Sequence, residues 1–161
     1  MDLYYALLFA KDRVAKVPPL PVKRLCQVIF TSIYMLLVYR IYGLNKAMDR
    51  LKSMRCKDPV HISNPMLEFL YARRVMVYSQ FVVSVLNIGK IDSFLRSLSL
   101  CASLKKLGIP AQMVLGEKNE EHVIENLHVW VELRQIPLNE SWEVEWHFRE
   151  IKRIPERFDV H

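Results

Sequence analysis

The sequence predicts an α+β protein, on three observations. Apolar residues recur at helical three- and four-residue steps from about residue 22 to residue 106. Strict apolar–polar alternation then appears at "NLHVWVELR" (126–134), the pattern of a half-buried β-strand. Only four of the 161 residues are glycine, too few for a turn-rich all-β fold. Runs of helix followed by a small antiparallel sheet give an α+β architecture.

Taken in order, the first apolar segment, "MDLYYALLFA", reads as a short helix closed by the prolines of "VPPLP" (17–21). It lacks the basic n-region and the small-residue cleavage site of a secretory signal, which assigns the protein to the cytoplasm. A long helix begins near Val22 and runs past a break at Gly43 to about Lys52. Its uncharged stretch 25–39, "LCQVIFTSIYMLLVY", covers ~22 Å as a helix, short of a ~30 Å hydrocarbon core. Apolar on nearly every side, it is expected to be a core helix buried on most faces, with a membrane-surface contact as the alternative. Asn64-Pro65 supplies an N-cap and an N1 proline for a helix over 65–86, which Gly89 closes. Another helix starts at Asp92 or Ser93, carries Leu95, Leu98, Ala102 and Leu104, and stops at Gly108. "IPAQMVLGEK" and "NLHVWVELR" are strands, and "QIPLNE" (135–140) is a partner strand after a turn at Arg134-Gln135.

Charge divides the chain. Residues 1–58 hold 11 Lys/Arg against 4 Asp/Glu, whereas 59–161 hold 12 against 13. The expected organisation is therefore an N-terminal helical, basic region (1–58) followed by a second domain (59–161). The basic half suits anionic lipid, an acidic partner, or simply a solvated face. Nucleic acid is not expected, because no stacking motif accompanies the charge. Three distant cysteines fit a reducing compartment. No Gly-rich phosphate loop, CxxC pair or zinc-spaced histidine occurs, so neither cofactor nor metal is expected.

Thiol-protease chemistry needs a nucleophile at a helix N-terminus, where free N–H groups favour an anion, a His on a neighbouring strand, and a group that orients the His. Ser93, His128 and Asn139-Glu140 occur in that order. A lone His in an alternating strand is more often an ordinary hydrogen-bonded residue, so spacing alone does not decide. The motif "DSFLRSLSLCASLKKLGIPAQMVLGEK…NLHVWVEL…IPLNE" resembles the leader peptidases of lasso peptide maturation, the B proteins, over about residues 65–140. Arg96, Ser97, Leu98, Leu100, Leu104, Gly108 to Ala111, Val114, Gly116, His128, Trp130, Val131, Glu132, Leu138 and Asn139 fall in register with that family's pattern.

The resemblance implies a transglutaminase- or papain-like core behind hydrophobic N-terminal helices. It also implies removal of a leader from a ribosomal precursor peptide, with a leader-recognition protein and an ATP-dependent lasso cyclase as partners. Ser93 then stands at the nucleophile, His128 is the base and Glu140 orients it, with Trp130 and Asn139 beside the substrate. Two positions depart from the pattern: Ser93 replaces a Cys, and Glu140 replaces an Asp. The otherwise intact motif favours an engineered replacement at 93 over a natural variant. The competing reading is an inactive scaffold of the same fold that holds precursor or partner proteins. A third is an unrelated helical protein of the membrane surface.

Other residues are read more plainly. Cys101 lies eight residues after Ser93, ~12 Å down the helix, and is expected to pack in the core. Trp130 either shields the His128–Glu140 pair or packs. Trp142 and Trp146 are expected in the core, with a further strand or a peptide-contacting edge as the alternative. His147 has no evident partner, and Glu120 and Glu121 fall in a solvated loop.

Overall fold

A computed structural model describes residues 19–56, 58–86, 93–118, 127–141 and 143–155. The N-terminal apolar segment, Gly89, Asp92, Glu120, Glu121 and Trp142 lie outside them. The order is α1 (Val22–Ser53), α2 (Pro65–Leu86), α3 (Ser93–Lys106), β1 (Ala111–Lys118), β2 (Leu127–Leu133), β3 (Ile136–Pro137), α4 (Val144–His147) and β4 (Phe148–Ile154). The fold is α+β: helices stacked on a four-stranded sheet of order β3-β2-β1-β4, all pairings antiparallel.

Local chemistry explains the helix ends. Asn64 Oδ1 accepts the Met66 N–H at 2.9 Å, so the expected Asn cap before Pro65 forms. Gly108, at φ 80°, ends α3 as expected. Arg134 and Gln135 both take positive φ (53° and 65°), the left-handed pair that joins β2 to β3 tightly.

Helix α1 does not run straight. Gly43 has φ 77° and ψ −178°, a conformation open almost only to glycine. The contacts on either side of it show a reversal. Gln27 Nε2 donates to the Lys106 carbonyl at 3.1 Å, while the Lys105 ammonium donates to the Leu51 and Lys52 carbonyls at 3.0 and 2.9 Å. A straight helix would separate positions 27 and 51 by ~36 Å. Instead both meet the end of α3, and Lys105 satisfies carbonyls that end α1.

Helix α3 occupies the centre. Leu98, Leu100, Cys101, Ala102 and Leu104 are fully buried. They join Val28 and Met35 of α1, Ala72 and Val75 of α2, and Ala111, Met113, Val129 and Val131 of the sheet in one core. That core crosses residue 58, so the boundary expected there does not separate two packing units. Ser32 Oγ lies 3.1 Å from Ser79 Oγ and 3.3 Å from Ser103 Oγ, a contact between three helices made close by small side chains.

Three sequence expectations are corrected. The 25–39 stretch is buried on one side only: Val28, Met35 and Leu36 face the core, but Phe30, Tyr34 and Leu37 are exposed. The reason is that α1 lies in the outer layer, against α2 and α3. Strand β2 is covered on both faces, since Trp130 and Glu132 are each only 2% exposed. The cover comes from Val144 of α4 and from Phe148, the first residue of β4, a strand with no clean alternation in "FREIKRI". Trp146 is exposed on the short α4 rather than in the core.

The Gly43 geometry sets a test. Gly43→Ala meets no steric neighbour, yet the backbone angle alone should cost about 1–3 kcal/mol. Thermal unfolding followed by circular dichroism should then show a Tm lowered by ~2–4 °C per kcal/mol for a chain of this size. An unchanged Tm would mean that α1 does not reverse at Gly43.

Candidate active site

The sheet and α3 run in a common sense. Ser97 Oγ donates to the Val129 carbonyl at 2.9 Å, and Cys101 Sγ to the Ala111 carbonyl at 3.7 Å. Ala111 is the register partner of Leu133. One turn along α3 therefore moves along β2 from Val129 towards Leu133. Extended the other way, the start of α3 at Ser93 points to the His128 end of β2.

The segment after β3 closes this end. Leu138 N–H donates to the Val131 carbonyl at 2.8 Å, which holds the segment beside β2. Asn139 Oδ1 accepts the Val131 N–H at 2.7 Å, and its Nδ2 donates to Ser97 Oγ at 3.2 Å. The Asn139 amide thus ties strand, closing segment and helix together. Glu140, the next residue, places Oε1 3.2 Å from His128 Nε2. A carboxylate acceptor there holds the imidazole proton on Nε2 and leaves Nδ1 as the basic nitrogen.

His128 is further fixed by aromatic rings. Phe148 stacks on it with centroids 4.9 Å apart and 28° between planes, and Trp130 lies at 6.2 Å. Gly116 is the register partner of His128. A Cβ at 116 would come within 2.7 Å of the Trp130 indole, so glycine is what allows the aromatic layer to seat.

Behind the imidazole is a charged support. Trp130 Nε1 donates to Glu132 Oε1 at 2.7 Å, and Arg153 Nη1 donates to Glu132 Oε2. Arg153 also grips Glu150 through Nε and Nη2, at 3.0 and 2.7 Å. The Glu150 hydrogen bonds, then Glu132, hold the Arg153 guanidinium above its ordinary pKa against the opposing effect of burial. Trp130, Glu132, Phe148 and Arg153 line a cleft of about 580 Å³ whose rim carries Arg134 and Glu145. Burial, then the nearby Glu132 charge, pushes the Glu145 carboxyl up. The Arg153 pairing escaped sequence reasoning, because β4 carries no alternation to mark it as a strand.

The structure brings His128, Glu140, Trp130 and Asn139 into one neighbourhood. Asn139 spends its amide on the backbone and on Ser97, and Trp130 lines the cleft, whose walls include none of Ser93, His128 and Glu140. Ser93 is the first residue of α3 and half-buried, and no hydrogen bond joins it to His128 among the described residues. His147 is exposed on α4, apart from this cluster. Among the described residues, no group of His, Cys, Asp and Glu has metal-binding geometry. No family model, curated protein or solved structure matches the chain.

Cys101 is fully buried, and burial pushes its thiol up to about 12, against a smaller opposing effect of Lys105. It is a packing residue, two turns below the site. Native protein treated with iodoacetamide at mildly alkaline pH should be alkylated at the exposed Cys26 and unmodified at Cys101 until urea unfolds the chain. Peptide mass mapping reads both sites. Equal labelling of the two would show that α3 is not the sealed centre of the fold.

Proposed function

We propose that this protein is a leader peptidase of the thiol-protease type, with a transglutaminase-like core and its nucleophile position occupied by Ser93. The observation that carries the reading is the His128–Glu140 hydrogen bond at 3.2 Å, at the end of β2 towards which the start of α3 points. In this reading the residue at 93 gives its proton to His128 Nδ1 and attacks the scissile carbonyl carbon. The tetrahedral oxyanion is held by free N–H groups at the start of α3. The C–N bond then breaks, the leaving amine takes the proton from His128, and water hydrolyses the acyl intermediate with His128 again as base. Glu140 orients the imidazole and stabilises its charged form. The cleft lined by Trp130 takes the peptide, and Asn139 positions the segment that carries Glu140. The substrate is the leader region of a ribosomal lasso precursor, presented by a leader-recognition protein ahead of a cyclase, in the cytoplasm.

A serine hydroxyl is far harder to ionise than a thiol near ~8.5, so the chain with Ser93 binds substrate better than it turns it over. Ser93→Cys should raise cleavage of a cognate precursor, assayed by mass spectrometry with its recognition partner, by at least about a hundredfold. Adding His128→Ala to that variant should return cleavage to the Ser93 level, and adding Glu140→Ala should lower it by about tenfold or more. Precursor binding without cleavage by Ser93→Cys would leave the inactive-scaffold reading in its place.

A further inference from the structure

Helices α1 and α2 use one face each against α3 and turn the other outward. On α1 the outward side carries Phe30, Tyr34, Leu37 and Ile41, of which Phe30 is 71% and Ile41 66% exposed. On α2 it carries Val77, Tyr78, Phe81 and Val85, with Phe81 66% exposed. The two stripes lie side by side. Ser32 meets Ser79, and Leu36 packs with Val83, so α1 and α2 run in parallel and Tyr34 stands level with Phe81. A continuous apolar surface of this kind is rarely left to water.

Charge identifies what covers it. Together α1 and α2 hold eight Lys/Arg against two Asp/Glu, with three of the cations (Lys46, Arg50 and Lys52) and one acid, Asp49, beyond the Gly43 reversal. Neither acid faces outward within the apolar stripes. Glu68 is 8% exposed and paired with Arg134 at 2.8 Å, and Asp49 lies beyond the Gly43 reversal. The exposed Arg40 lies within the α1 stripe, Lys23 precedes it and pairs with Asp58 at 3.4 Å, and Arg73 and Arg74 precede the stripe of α2. Aromatic and aliphatic side chains bordered by cations, with Asp58 held in ion pairs by Lys23 and Arg24, match an interface of acyl chains under anionic headgroups.

We infer that the outward α1–α2 face is a membrane-docking surface that lies on anionic lipid, with Phe30, Ile41 and Phe81 inserted at the headgroup boundary. This assignment is independent of the peptidase reading, because none of these residues belongs to the site. The reversal at Gly43 places α1 along the surface rather than across it.

The test is co-sedimentation of the full chain with phosphatidylcholine vesicles, with and without phosphatidylglycerol. Binding should be at least about tenfold stronger to the anionic vesicles and should weaken with added salt. The double variant Phe30→Glu/Phe81→Glu alters exposed positions only and should lose binding by about tenfold or more, with an unchanged circular dichroism spectrum. Equal binding to both vesicle types, or none, overturns the inference; so does a folded double variant that binds like the parent. A chain that ignores vesicles and forms a dimer dissociated by the same double variant assigns the face to a second copy instead. The lipid comparison on the parent chain stands even where the variant fails to fold.

Discussion

Everything else in this structure depends on the burial of α3. Its residues meet α1 and α2 on one side and β1 and β2 on the other, in a single core. Serines rather than large side chains occupy Ser97, Ser99 and Ser103, all at most 1% exposed. Small hydroxylated residues let neighbouring elements approach closely, and two of the three spend their hydroxyls on partners outside the helix. A helix locked in this way has a fixed first turn, and that turn is where the proposed chemistry sits.

The site beside it is built on the same economy. One amide, that of Asn139, joins β2, the closing segment and α3, and so sets where Glu140 stands relative to His128. The aromatic layer of Trp130 and Phe148 then limits the ring's tilt. Glu132 is an acid with almost no exposure, yet it accepts from both the Trp130 indole and the Arg153 guanidinium. A buried carboxylate is tolerable only with such partners, and removing one would strand the other.

Much of this was legible in the residues. The helix limits at Val22, Pro65 and Asp92 or Ser93 followed from proline, Asn64 and periodicity, and the His128–Glu140 pairing was implied by the family resemblance. The short reach of β3 was not legible, since Asn139 and Glu140 turn their side chains to the site instead of extending the ladder. Nor was β4, whose charged and apolar residues follow no period because they serve an edge and a salt-bridge network. The exposed stripe of α1 stayed hidden for a different reason. Hydropathy reports that a helix is apolar all round but not how many of its faces find a neighbour.

The reversal at Gly43 has a geometric consequence for how the molecule is handled. Gln27 meets α3 at Lys106, whereas the proposed site lies at the opposite end of that helix, beside Ser93. The 14 residues from Ser93 to Lys106 place the two ends of α3 ~20 Å apart. Cys26, exposed and next to Gln27, therefore stands at the end of α3 remote from Ser93. A fluorophore attached to its thiol reports on the protein without standing beside the proposed nucleophile.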